Sequence, residues 1–350
     1  MAIEDRSANM YNTITQRLEV VTADRIKNKL LAGNNVKGYW VIYLTVGPLA
    51  HIGYLVPLVK VAEFVAEGID FTILIADLYG FLVNYDVCLE TVEYRTQYYT
   101  SLITAILKSL GVPTSKVRIV RESEYSMTQP FCKDSMRMCS VASLEDIKLV
   151  GLEVTKTPMM SPLLCPIHHA LDEVYLGCDF QLGGLDQLGF FAFADRCLPR
   201  IGYEPVSHLA AAIIPGLTTE KMSSSAPAET KISFLDPKDI VDKKIAGAHI
   251  RQGDISANAI MAIFQHIIFP LRLLGIPTST MIEVRLLNGS IKQYRSYELL
   301  ELDFLKGVTD QASLRSIVAE TINQILEPVR EQYKADAEWR LVEKLAYAVC

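Results

Sequence analysis

A strand, a Gly-Pro turn, a helix and a second strand follow one another between Trp40 and Ala76, and no other feature constrains the fold as strongly. Trp40 to Val46 is rich in β-branched and aromatic side chains, as a buried strand is. Gly47-Pro48 turns the chain. A helix follows with Leu55, Val59, Ala62 and Val65 on one face, Pro57 in or near its first turn and Gly68 past its end. Phe71 to Ala76 reads as the next strand. A strand–helix–strand of this length predicts a right-handed parallel unit, and with it the α/β class with a doubly wound parallel sheet.

The flanking segments extend this pattern. Residues 12–32 read as an amphipathic helix pair, Val92 to Leu110 as a helix, and Val117 to Val120 as a third strand. Asp77 to Tyr85 leaves the C-terminal end of a strand, where ligands bind in open sheets. Residues 121–160 are mixed, mostly helical and methionine-rich, and predict an insertion or an oligomer surface. Leu163 to Leu176 reads as a helix carrying His168, His169, Asp172 and Glu173, and Ala210 to Ile214 as a last buried strand. Phe234-Leu235-Asp236-Pro237 is punctuated as a boundary. Beyond it the periodicity is helical over 238–247, 256–274 and 310–333, with a short helix in the tail. The expected division is a sheet domain over 1–236 and a helical domain over 237–350.

Composition excludes several classes. Tyr39 to Val59 carries no formal charge, but Gly47, Pro48, His51 and Pro57 punctuate it as strand, turn and helix rather than a membrane span. Seven cysteines without a Cys-x-x-Cys pair predict reduced thiols, no metal site and, with no secretory signal at the first residues, a cytoplasmic protein. Adjacent His168 and His169 point apart on a helix and cannot chelate one ion as an i, i+4 pair could. A net charge of −6 leaves no global footprint for nucleic acid, so any RNA contact rests on local patches.

Three short stretches carry chemistry. Lys221-Met222-Ser223-Ser224-Ser225, behind Pro215-Gly216, is a polar loop whose cation, hydroxyls and backbone N–H groups suit a phosphate. A solvated surface loop has the same composition. His51-Ile52-Gly53-Tyr54 places an imidazole at a helix start, where unpaired N–H groups favour an anion and glycine permits close approach. A lone histidine there is more often a cap. Gly183-Gly184-Leu185-Asp186-Gln187 follows a short strand; its carboxylate suits a ribose hydroxyl and its amide an α-amine or α-carboxylate, although a plain turn would read alike.

Taken in order, with Thr72-Ile73-Leu74-Ile75-Ala76-Asp77-Leu78 and Leu326-Glu327-Pro328-Val329-Arg330-Glu331, these blocks resemble the class I tyrosyl-tRNA synthetases of archaeal and eukaryotic type, over about residues 12–333. The resemblance implies a Rossmann-like catalytic domain, a helical anticodon-binding-like domain and a homodimer formed through residues near 110–160. It also implies ATP, with Mg2+, together with tyrosine and tRNA-Tyr as the molecules bound. By the same resemblance His51, Gly53, Gly184, Asp186, Lys221, Met222, Ser223, Ser224 and Ser225 bind ATP, with His51, Lys221, Ser223 and Ser224 catalytic. Asp172 accepts the substrate's phenol, and Gln187, His169, Cys165 and Val41 line the tyrosine pocket.

The departures concentrate in that pocket. Where the family has tyrosine, tyrosine and glutamine, this chain has Val41, Cys165 and His169; Tyr79 replaces a histidine, Val46-Gly47-Pro48-Leu49 replaces a Pro-Ser/Thr-Gly-Lys-like turn, and Leu188-Gly189 replaces Arg-Lys. Tyr39 and Tyr43 share a strand face with Val41. Three readings stand open: a tyrosine ligase with a divergent pocket, a degenerate paralogue that binds ATP or tRNA, and an adenylating enzyme of altered amino acid specificity.

Overall fold

Alternation along the first strand of the parallel unit sorts its side chains onto two faces. Trp40 and Ile42 enter one hydrophobic cluster while Tyr39 and Val41 enter another. The computed structural model describes residues 2–44, 50–83, 87–156, 158–219, 221–224, 226–276 and 281–347. The Val46–Leu49 turn and Ser225 lie outside the described residues.

In chain order the first half comprises α1 (Ala2–Thr15), β1 (Leu18–Val20), α2 (Asp24–Leu31), β2 (Lys37–Tyr43), α3 (Leu55–Ala66), β3 (Asp70–Ala76), α4 (Asp77–Val83), α5 (Leu89–Ser109) and β4 (Val117–Arg121). Four short helices then fill 123–155: α6 (Ser123–Ser126), α7 (Gln129–Val141), α8 (Leu144–Lys148) and α9 (Leu152–Thr155). They are followed by α10 (Cys165–Leu176), β5 (Phe180–Gly184), α11 (Leu188–Cys197) and β6 (Ser207–Ala211). The C-terminal part holds α12 (Lys238–Ala246), α13 (Ala259–Ile263), α14 (Phe269–Leu273), β7 (Ile282–Arg285), β8 (Ile291–Tyr294), α15 (Tyr297–Leu305), α16 (Gln311–Ala335) and α17 (Ala337–Ala346).

The main sheet is six-stranded in the order β1-β6-β5-β2-β3-β4. All neighbours pair in parallel except β1, which runs antiparallel to β6. One face is covered by α3 and α5, whose buried Leu58, Phe64 and Leu102 belong to the same cluster as Ile263, Leu326 and Trp339 of the C-terminal helices. The other face is covered by α7, α10 and α11. Residues read as a doubly wound parallel sheet therefore fold as one, and the core runs without a break past residue 236. Arg330 fastens that junction: buried, it donates to the Asp236 carbonyl at 2.8 Å and to Asn323 Oδ1 at 2.7 Å.

Some boundaries differ from the sequence reading. Residues 12–32 are not a helix pair, because Leu18–Val20 adds an antiparallel edge strand to β6, with Leu18 opposite Ala211. The last strand is Ser207–Ala211 rather than 210–214; parallel pairing with β5 ends at Gly184–Ala211, and 212–214 leave the sheet. Asp77–Val83 is helical rather than a simple exit loop. The region after 237 is not wholly helical, since β7 and β8 form a hairpin. Its signal was present: Ile282 and Val284 are buried between exposed Glu283 and Arg285, and Asn288-Gly289 supplies the turn, with Gly289 at φ 83°.

Candidate active site

β2 is flanked by β3 on one side and β5 on the other. The chain leaves β2 toward β3 and β4, then returns to build β5 and β6, so the strand order reverses beside β2. A crevice opens outside the carboxyl ends of strands at such a reversal. Here it is a cleft of about 440 Å³, lined from β2 by Val41 and Tyr43, from the following segment by His51 and Gly53, from the β5 end by Gly184, Asp186 and Gln187, and from the far loop by Lys221, Met222, Ser223 and Ser224.

His51 caps a 3-10 turn (Ile52–Tyr54) that runs into α3. Its Nδ1 accepts from the Gly53 N–H at 3.2 Å. Burial, then the charges of Lys231 and Lys221, push its pKa down to about 4. At neutral pH the ring is therefore uncharged, and with Nδ1 accepting, the proton sits on Nε2. His51 thus presents a neutral N–H donor at the site. Gly53 has to be glycine for this geometry, because a Cβ there would lie 2.7 Å from the His51 ring.

On the opposite wall Lys221 Nζ meets Asp186 Oδ2 at 2.7 Å, joining two motifs remote in sequence. The Lys221 loop is anchored by Met222, which is buried and donates its N–H to the Ile214 carbonyl at 3.1 Å. Gly184 leaves room for the Asp186 carboxylate; a Cβ at 184 would stand 2.5 Å from Asp186 Oδ1. Gln187 Oε1 is buried without a partner among the described residues, an acceptor held ready at the cleft wall.

Three of the predicted pocket residues do not line the cleft. Cys165, His169 and Asp172, on α10, are 0%, 1% and 2% exposed. Asp172 Oδ1 accepts the hydroxyl of Tyr125 at 2.5 Å. Burial, then the nearby Glu122, raises its pKa well above the usual carboxylate range. The Tyr39 hydroxyl donates to Gln181 Oε1 at 2.8 Å, and Gln181 Nε2 donates to His169 Nε2 at 3.0 Å. His169 is held neutral, its pKa pushed down to about 3 by burial and by His208. His168 turns away to Glu122 at 2.7 Å, as expected of adjacent helical histidines.

Two residues of consequence escaped the sequence reading. Lys231 is 3% exposed, donates to the Ser224 carbonyl and adds its charge to the field on His51. Nothing in its local pattern distinguishes it from a surface lysine. Tyr125 sits in the segment read as an insertion, and only the fold brings it to Asp172. Gly189, noted as a departure, has a steric reason: a Cβ there would lie 2.1 Å from the Val150 carbonyl oxygen. Among the described residues no group of three His, Cys, Asp or Glu gathers as a metal site.

A family description for class I tRNA synthetases (W and Y) matches residues 43–327, and the chain belongs to that family. It is 38% identical over 329 residues to the cytoplasmic tyrosine–tRNA ligase of Gallus gallus, covering 93% of this chain and 61% of that protein. It is 35% identical over 348 residues to the cytoplasmic tyrosine–tRNA ligase of Saccharomyces cerevisiae, covering 97% and 88%. The fold matches the crystal structure of tyrosyl-tRNA synthetase complexed with L-tyrosine from Archaeoglobus fulgidus, with a TM-score of 0.83 at 27% identity over 93% of this chain and 99% of that one. The chain spans about three fifths of the length of the chicken relative.

Proposed function

We propose that the chain is a tyrosine–tRNA ligase, which activates tyrosine with ATP and transfers it to tRNA-Tyr. The observation that carries this reading is the meeting of the His51–Tyr54 and Lys221–Ser224 stretches in one switch-point cleft. A tyrosine carboxylate oxygen would attack the α-phosphorus, the bond to pyrophosphate would break, and a terminal ribose hydroxyl of tRNA would then displace AMP from the carbonyl carbon. Such chemistry asks the protein for positioning and for donors aimed at phosphate charge. On this reading His51 Nε2–H, Lys221 and the serine hydroxyls face the phosphates, Asp186 takes the ribose once Lys221 moves to phosphate, and Gln187 Oε1 accepts from the α-amine. Mg2+ enters with the triphosphate.

Residues 1–236 would form the catalytic part and 237–350 a tRNA-contacting part, in a cytoplasmic homodimer. Exposed Met127, Met136, Leu149 and Met160 on the segment between β4 and α10 support its use as the dimer surface. The test is ATP–pyrophosphate exchange with each of the twenty amino acids, followed by aminoacylation of tRNA-Tyr. Tyrosine-dependent exchange, lost in Lys221→Ala, is the expected result. Exchange with another amino acid alone, or none while tRNA still binds, would sink the proposal.

A further inference from the structure

The far end of the cleft is built from aromatic rings. Tyr43, at the end of β2, lies against Tyr79 with ring centroids 4.5 Å apart and is nearly parallel to His169, 13° off at 6.2 Å. Phe190 closes on His169 at 4.8 Å and on Tyr79 at 6.1 Å. Tyr43 and Tyr79 line the cleft, whereas His169 and Asp172 do not. The polar groups behind the stack are served from within the chain: Asp172 by the Tyr125 hydroxyl, Gln181 by the Tyr39 hydroxyl and His169. Tyr125 is itself packed between Tyr175 and Phe131 at 5.9 and 5.8 Å.

Resting on the reading of this cleft as a tyrosine-activating site, we propose that the chain's own phenols occupy the subsite for the substrate side chain, Tyr125 on Asp172 and Tyr43 across the cleft end. Tyrosine then binds only as Tyr43 turns away and Tyr125 gives up Asp172. Specificity changes as a result. A site whose acceptor depends on the substrate hydroxyl rejects the analogue lacking it by ~10⁴–10⁵-fold, because a buried polar group is left unpaired. An acceptor already bonded to Tyr125 is not left unpaired when phenylalanine binds, and exchanging one phenol for another yields no net hydrogen bond. With no net hydrogen bond to separate them, tyrosine should be preferred over phenylalanine by less than about tenfold, the worth of one ordinary net hydrogen bond.

Two substitutions in the full chain separate the two phenols. Tyr125→Phe keeps the ring packing and removes only the hydroxyl, so Asp172 comes to depend on the substrate. Tyr43→Ala opens the cleft end. Affinities for tyrosine, phenylalanine and ATP are read by calorimetry, with amino-acid-dependent ATP–pyrophosphate exchange alongside. Tyr125→Phe is expected to raise the tyrosine-to-phenylalanine affinity ratio by at least about tenfold. Tyr43→Ala is expected to tighten both amino acids by a similar factor, and wild-type circular dichroism and thermal melting report that both variants are folded. A ratio that stays constant in a folded Tyr125→Phe variant overturns the inference. Wild-type selectivity above ~10⁴ also overturns it while leaving the tyrosine ligase reading intact. A wild type that activates no tyrosine beside a Tyr43→Ala variant that does supports the inference and refutes the wild-type activity. Failure of all three proteins to bind either amino acid refutes both.

Discussion

His51 offers the sharpest test of the catalytic reading, because its structural and chemical roles can be separated. As a cap, its Nδ1 accepts the Gly53 N–H at 3.2 Å; as a donor, it presents Nε2–H. Asparagine at 51 keeps the first role, since its Oδ1 is among the preferred N-terminal caps. It loses the second, because its amide is shorter than the imidazole. Removing one preorganised donor to developing oxyanion charge costs about 2.7–4 kcal/mol, or ~10²–10³-fold in kcat. His51→Asn should therefore lower kcat for ATP–pyrophosphate exchange by that factor, while KM for ATP and the thermal midpoint change little. The pH dependence follows from the same geometry. With its pKa pushed down to about 4, the ring stays neutral across pH 5–8, so His51 adds no inflection near 6.5. The assay is exchange rate against pH for wild type and His51→Asn. A wild-type inflection near pH 6.5 that vanishes in the variant, or a loss below about tenfold, would refute the neutral-donor argument.

Three further outcomes are expected. Gly184→Ala should push the Asp186 carboxylate aside from 2.5 Å and raise KM for ATP about tenfold, the loss of one hydrogen-bonded contact, with stability near wild type; kinetics and a melting curve together check this. Gly189→Ala forces a methyl toward the Val150 carbonyl at 2.1 Å, where backbone must yield, so denaturant unfolding should show a loss of about 1–3 kcal/mol. Stability should peak near neutral pH. Below pH 6.5 the buried neutral His51, His169 and His266, with pKa values pushed to about 4, 3 and 4, resist a proton that the unfolded chain accepts; His51 alone loses ~3 kcal/mol by pH 4. Burial pulls the His208 pKa down, but hydrogen bonds to Asp195 and Glu173 hold it at about 9, so its contribution is complete below pH 6.5 and fades as pH rises through 9. Chemical denaturation from pH 4 to 10 checks both limbs, and a flat profile on the acid side would contradict the buried-histidine assignment.

What the sequence determined by itself is local. The parallel unit was legible because β-branched runs and helical spacing each act over a few residues. That His51 with Gly53, Gly184 with Asp186, and the Lys221 loop are stretches of distinctive local chemistry was legible for the same reason, and the fold brings them into one cleft. The hairpin at 282–294 carried an equally local signal in Asn288-Gly289 and was overlooked beside the surrounding helical periodicity. Other features had no local signal. The edge strand Leu18–Val20 is three residues long and owes its conformation to β6, nearly two hundred positions later. Only packing α10 behind β2 buries Asp172, and only the placement of α6 brings the Tyr125 hydroxyl onto it. A carboxylate's partner is set by which side chain reaches it through space, and pairings between distant elements leave no trace in spacing. The tertiary structure therefore decided which of the residues expected to form an amino acid pocket face the cleft, and which bond instead to the chain's own tyrosines.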